Sequence, residues 1–354
     1  MNDNGNRKLV LIVYDILSDK PTPDDPELTC TSADNRTEIS QARDALKEGG
    51  FEVRTLGLRS VNSKVLAKIE EINPDVIFNL CESLYNESRN EMNVAGLFDL
   101  LKIPCTGSSP LALGIALNKR KVKQILRAAG LPVPSSVLAI LNQPFSLSEL
   151  EGPYIIKPVR EDGSVGISSK SVVNTKEEVE ERIKFIHENY RQPALVEEFI
   201  PGRELNVSII GAAEPQVLAI GEIDFSKMPK GEFHIVSYKA KWDPKSPLYN
   251  ATEPIYPAKL SGEIKEKIER AAIKAYKEIG CRDYGRIDMR LKDDDKFYIL
   301  EVNTNPDISP EAGFDRAARV NGLSYDQLLS KIATMALERS TRKAKEELSI
   351  KSVI

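Results

Sequence analysis

The sequence predicts an α/β and α+β protein, in which an N-terminal doubly wound parallel sheet is followed by mixed and antiparallel sheets. Three observations carry this. From residue 8 to about 106, short apolar strands (KLVLIVY, FEVRTL, DVIFNL) alternate with helical patterns (SADNRTEISQARDALKEGG, NSKVLAKIEEI, NVAGLFDLLK), as in a parallel sheet with helical crossovers. Farther on, YGRIDMRL and FYILEVN flank an acidic turn and read as an antiparallel hairpin. At 354 residues the chain exceeds one typical core, so two or three domains are expected.

In chain order, the first helix stops at Gly49-Gly50, and Pro74 marks the entry to the third strand. The segment from Pro104 turns helical after Ser109 and ends at Gly130, with Pro132 and Pro134 as breakers, and a boundary falls near 107. Next come strand YIIKPV, loop REDGSVG, strand ISSKSVV, helix TKEEVEERIKFIHENY, and strands ALVEEFI and ELNVSII. Two further strand regions, a long amphipathic helix from 260 to 279, the hairpin and closing helices to about 339 complete the pattern. The charged tail STRKAKEELSIKSVI reads as a terminal helix or a frayed end, and the early DKPTPDDPELTCTSADN as a disordered loop or a lid over the substrate site.

A net charge of −4 provides no global basic field, so neither nucleic acid nor an anionic membrane is an expected partner and any phosphate site must be local. LVLIVY is too short to span a bilayer and lacks a signal peptide's flanks, which points to the cytoplasm. Cys30, Cys81, Cys105 and Cys281 lack paired spacing and read as free thiols. With only His187 and His234, a Ser-His or Cys-His dyad is disfavoured, and proton transfer falls to carboxylates, lysine or substrate.

In an extended chain residues two apart share a face, so Glu301 and Asn303 project together. A two-residue turn at Asp294-Asp295 sets Asp293 opposite Lys296, Asp288 opposite Glu301 and Arg286 opposite Asn303. It sorts Ile287, Met289 and Leu291 onto the apolar face with Val302, Leu300 and Tyr298, and misplaces only Ile299. Asp288, Glu301 and Asn303 then form an oxygen-only cluster suited to magnesium rather than zinc, or else a solvated Arg/Asp/Glu network. Lys157 interrupts an apolar strand, where a nearby anion would relieve its burial, and the Gly163-Ser164-Val165-Gly166 loop can place backbone N–H groups on phosphate. A tight hairpin with Lys157 reaching solvent is the alternative. The pattern is no Walker loop. LVEEFIPGRE sets Glu197 and Glu198 at a strand end and Glu204 at the start of the next, either a nucleotide hinge or a plain connection. Lys119 is by itself a solvated helix charge.

The order of these signals resembles the ATP-grasp superfamily, specifically its D-alanine-D-alanine ligase-like branch, over roughly residues 75 to 339 and most densely in GCRDYGRIDMRLKDDDKFYILEVNTNP. The resemblance implies an ATP-grasp fold with a Rossmann-like substrate-side domain (1–107), a small lid subdomain (108–190), a C-terminal subdomain bearing the metal hairpin (191–340) and a tail (341–354). It implies ATP and two Mg²⁺, with Mn²⁺ able to substitute, held by Asp288, Glu301 and Asn303. Lys119 and Lys157 would contact phosphates, the Gly163–Gly166 loop with Ser164 would close over them, Glu197 and neighbouring backbone would face adenine, and Glu198 belongs to the same nucleotide-binding hinge. Glu204 would hold the ribose, Lys241 the γ-phosphate end, and Arg286 the reacting carboxyl group. The implied chemistry is activation of a carboxylate as an acyl phosphate and its capture by an amine, on amino acid, amine or peptide substrates, and the resemblance implies a homodimer, as its branch commonly forms.

The substrate side departs from the dipeptide ligase pattern. FNLCESLYNESRNEMN carries no histidine, Trp242 stands where the family has tyrosine, and Pro306-Asp307 and Ala312 replace a Pro-Gly and a serine. No glutamate near VYDILSD matches the family's early one. Glu82, past a strand's C-terminal end, can grip a substrate amine or be a surface acid. Asp307 and Glu311 favour a cationic acceptor or cap the next helix. Three readings follow: a ligase of altered amino-acid specificity, a ligase for a larger peptide or natural-product carboxylate, and a non-catalytic ATP-binding regulator.

Overall fold

The structure, a computed structural model, describes residues 7–16 and 36–351. Residues 17–35, with Cys30 and the segment read as loop or lid, lie outside it, as do the side chains beyond 342. The N-terminal layer runs β1 (Leu9–Asp15), α1 (Arg36–Glu48), β2 (Glu52–Leu58), α2 (Ser63–Ile72), β3 (Val76–Leu80) and α3 (Glu91–Leu100). Its strands are parallel in the order β2-β1-β3. β1 is an unbroken apolar run because both its faces are covered. Val10 and Ile12 pack with Ala42 and Leu46, while Leu11 and Val13 pack with Ile69 and Phe98.

The helix expected from 110 to 130 is two, α4 (Pro110–Ala116) and α5 (Lys119–Ala128). Asn118 breaks it: its side chain accepts from the Lys121 N–H at 3.1 Å and caps α5, which puts Lys119 in the first helical position. A four-stranded sheet follows, from β4 (Ser136–Ala139), β5 (Tyr154–Pro158) and β6 (Val172–Val173), then α6 (Lys176–Tyr190) and β7 (Ala194–Glu198), in the order β4-β7-β5-β6. β4 is absent from the pattern-based reading, and the strand ISSKSVV shrinks to two residues because Ser168 caps a short helical turn over Ser169–Ser171. β7 pairs with both β4 and β5, so this sheet extends to Glu198.

The large sheet comprises β8 (Arg203–Ile210), β9 (Gln216–Asp224), β10 (Glu253–Ile255), β11 (Tyr284–Leu291) and β12 (Phe297–Asn303), ordered β10-β9-β8-β11-β12. α7 (Tyr238–Trp242) lies in the β9–β10 connection, and α8 (Gly262–Ile279) packs Ile264, Ile268, Ala272 and Tyr276 behind the sheet. Gly202 carries the chain between the sheets at φ 122°, where a Cβ would lie 2.2 Å from the Leu291 carbonyl oxygen. α9 (Gly313–Val320) and α10 (Tyr325–Lys351) close the chain. α10 continues through most of the charged tail, and its Leu328, Leu329, Ile332 and Ala333 pack into the N-terminal layer.

The hairpin register holds at the site but not at the turn. Arg286 opposes Asn303 and Asp288 opposes Glu301, as the sequence predicts. The turn, however, closes on Lys292 and Lys296, with three residues between them and Asp295 left-handed at φ 61°. A bulge between Asp288 and Met289 absorbs the difference. It seats Ile299 in the core with Met289 and Leu291 and turns Leu300 into the cleft, which explains the one residue that the even alternation misplaced.

Candidate active site

Two antiparallel strands make the floor. Along β11, Arg286, Asp288 and Arg290 share a face, and β8 sets Ser208, Asn206 and Glu204 opposite them. Arg286 grips Asp288 with two hydrogen bonds, Nε to Oδ1 at 2.7 Å and Nη2 to Oδ2 at 2.8 Å. Asn206 and Asn303 each donate to the same carboxylate, at 2.7 and 2.8 Å. Burial alone would raise Asp288, but Arg286 and Asn206 hold its carboxyl below the usual range.

Lys119, at the start of α5, donates to Glu301 and to the Glu161 carbonyl. One turn on, Lys123 lies 2.9 Å from Glu197, whose other oxygen is 2.8 Å from Lys157. Glu197 is 1% exposed, and although burial opposes ionisation the two ammoniums pull its pKa down to about 2. Burial, then Lys157, lowers Lys123, and Glu197 only partly offsets this. The two shifts agree on one fact: a single carboxylate faces two cations. The triad therefore carries a surplus positive charge that a phosphate would neutralise. Glu197 is therefore engaged by two lysines as their shared counter-ion.

The glycine loop is latched across the cleft. Ser164, left-handed at φ 65°, donates its hydroxyl to the Val236 carbonyl at 2.8 Å, and Trp242 Nε1 donates to the Gly163 carbonyl at 2.8 Å. Lys241 Nζ lies 4.8 Å from the centre of the Trp242 ring.

Thirteen of the sixteen site residues expected from sequence line one cleft of about 630 Å³: Lys119, Lys157, Gly163, Ser164, Glu197, Glu198, Glu204, Lys241, Arg286, Asp288, Glu301, Asn303 and Asp307. Gly166, Trp242 and Glu82 do not line it. Gly166 instead turns the chain at φ 76° against Pro158, and its carbonyl accepts from Arg182. Trp242 acts through the loop it braces. Glu82 opens to solvent at the end of β3; the chain packed round it and then Asp162, Asp307 and Asp15 push its carboxyl up to about 8. Glu198 accepts from the Glu151 N–H at 3.2 Å. Asp307 accepts from the Ser309 N–H at 2.8 Å, and Ala312 starts α9 with no capping side chain.

Sequence reasoning missed Lys123, Asn206, Arg290, Tyr256 and Arg316. Three were within reach: Lys123 lies four residues past Lys119 on one helix face, Asn206 two past Glu204, and Arg290 two past Asp288. Tyr256 and Arg316 enter the cleft only through the packing of α9 against β9 and the β10 end.

Among the described residues no three His, Cys, Asp or Glu side chains converge as a metal site. The candidate set, Asp288, Glu301 and Asn303, is two carboxylates and an amide, all hard oxygen donors in one cleft, and it fits magnesium.

Two strand-built subdomains clasping a cleft lined by lysines, with a carboxylate hairpin for its floor, define the ATP-grasp class of fold. The crystal structure of D-alanine–D-alanine ligase from Bacillus anthracis complexed with ATP matches with a TM-score of 0.71 at 21% identity, over 95% of this chain and 99% of that chain. Residues 125–334 match the family described as D-ala D-ala ligase C-terminus. A D-alanine–D-alanine ligase of Carboxydothermus hydrogenoformans is 32% identical over 303 residues, 83% of this chain and 90% of that protein. One of Brucella anthropi is 32% identical over 292 residues, 80% of this chain and 87% of that protein. The chain belongs to the D-alanine–D-alanine ligase family, which bears out the resemblance read from its motifs.

Proposed function

We propose that this protein is an ATP-dependent, ADP-forming carbon–nitrogen ligase that joins the carboxylate of one small amino-acid substrate to the amine of another. The observation that carries it is the meeting of Arg286, Asp288, Glu301 and Asn303 with Lys119, Lys157 and Lys241 in one cleft. Lys119 and the surplus charge of the Lys123–Glu197–Lys157 triad hold the triphosphate from one side, and Glu204 receives the ribose. Magnesium held by Asp288, Glu301 and Asn303 would neutralise phosphate oxygens in the same cleft.

A substrate carboxylate oxygen attacks the γ-phosphorus as the bond to ADP breaks. The amine nitrogen then attacks the acyl carbon, phosphate departs with the bonding pair, and the amine loses a proton. Arg286 spends Nε and Nη2 on Asp288, so Nη1 is left for the oxyanion of the tetrahedral intermediate. The latched Ser164 loop keeps water from the acyl phosphate.

The acceptor side supports a substrate pair other than two D-alanines, because Ala312 leaves the start of α9 without a hydroxyl. No helix among the described residues is long and apolar enough to cross a membrane, and a cytoplasmic location, where ATP is supplied, belongs to the same reading. The test is ADP release with Mg²⁺-ATP across a matrix of amino acids and small amines, D-alanine included, with mass spectrometry of each positive well. A product lighter than its summed substrates by one water identifies the pair, and Glu301→Ala should abolish turnover. ATP binding with no product across small and peptide substrates would overturn the ligase reading.

A further inference from the structure

Arg290 has no role in the chemistry above, yet its side chain is 4% exposed and bonded on every side. Nη2 donates to Glu204 Oε2 at 2.7 Å and also to the carbonyl oxygen of His234. Nη1 donates to the Gly202 carbonyl at 2.9 Å. The guanidinium carbon lies 5.7 Å from the centre of the Phe199 ring and 5.5 Å from that of Phe225. Those rings are themselves held: Phe199 packs edge-on against Phe233 at 5.4 Å, and Phe225 stacks on His234 at 5.2 Å.

One cation thus joins three pieces of chain at the end of the cleft away from Arg286. They are the floor at Glu204, the inter-sheet connection at Phe199 and Gly202, and the overhanging segment 225–237. That overhang brings Ile235 to the cleft and offers the Val236 carbonyl that latches Ser164. A glutamate enclosed here without a partner would be free to swing or take up a proton, since burial pushes its carboxyl up and Arg290 opposes the shift.

We infer that Arg290 is a positioning residue for nucleotide recognition: it fixes Glu204 by one carboxylate oxygen, leaves the other for the ribose, and pins the overhang that covers the sugar. The inference rests on the nucleotide reading above. A lysine cannot replace it, because the role needs a planar fork that bonds in two directions from between two aromatic rings.

The experiment is calorimetric binding of Mg²⁺-ATP, Mg²⁺-2′,3′-dideoxy-ATP and Mg²⁺-tripolyphosphate to the full chain, its Arg290→Lys and Arg290→Met variants, and Glu204→Gln. The wild type should prefer ATP to the dideoxy nucleotide by roughly tenfold or more, the worth of a charge-assisted bond to the sugar. In Arg290→Lys that preference should fall towards one, with ATP binding weaker by about tenfold and tripolyphosphate binding unchanged. Arg290→Met should show the larger loss where it folds, and Arg290→Lys, which keeps the charge, secures the test where it does not. Retained preference in Arg290→Lys, or an equal loss for ATP and tripolyphosphate, would overturn the inference. A preference that survives Glu204→Gln would instead show that Glu204 does not read the ribose, a failure of the nucleotide reading itself.

Discussion

Glu197→Gln tests the charge arithmetic of the cleft, because it removes the one carboxylate that two buried ammoniums share. Lys123 and Lys157 hold that carboxylate at 2.9 and 2.8 Å and carry its pKa from an ordinary 4.5 to about 2. A displacement of that size corresponds to about 3 kcal/mol of stability in the ionised form. A folded-state pKa below the unfolded one means that this contribution is complete above the unfolded value and is lost as pH falls through about 2. Near neutral pH, Glu197→Gln should therefore lower stability by about 3 kcal/mol and the Tm by roughly 4 °C. At about pH 3.5 the gap between wild type and variant should shrink to about 2 kcal/mol, because the wild type has begun to lose its advantage. Thermal unfolding of both proteins at matched pH and ionic strength measures it. A variant that melts with the wild type, or a gap that widens with acid, would refute the reasoning.

Ala312 begins α9 at φ −65° and ψ 165°, the backbone of a good cap with no side chain to serve as one. Ala312→Ser should raise stability by about 1 kcal/mol, read as a higher Tm, and lower the KM for an amino-acid acceptor, whose carboxylate would meet the new hydroxyl. Trp242→Phe removes the bond from Nε1 to the Gly163 carbonyl and part of the ring that Lys241 faces. It should cost the loop latch about 1 kcal/mol, visible as faster amide hydrogen exchange at residues 161 to 166 and ATP binding about fivefold weaker. Unchanged exchange there would show that Ser164 alone holds the loop.

The elements whose period is strong were legible in the sequence. The parallel strands of the N-terminal layer announce themselves as apolar runs, α6 and α8 by their caps and spacing, and the Asp288–Glu301 pairing by alternation on two strands. Short elements were not: β4, the two-residue β6 and the break at Asn118 involve too few residues for a period to accumulate.

The sequence by itself determined the motif chemistry: which strand face carries oxygen donors and which strand carries a buried lysine. Tertiary structure alone decided the partners. Glu197 cannot be told from an adenine contact until two lysines from different elements are seen closing on it. Arg290 looks like one more charge on a strand until Glu204, His234 and two rings gather round it. Alternation reports the face on which a side chain emerges, whereas the charge it meets there depends on which strands become neighbours. That is settled by burial of the apolar faces behind them, at sequence separations no local pattern reaches.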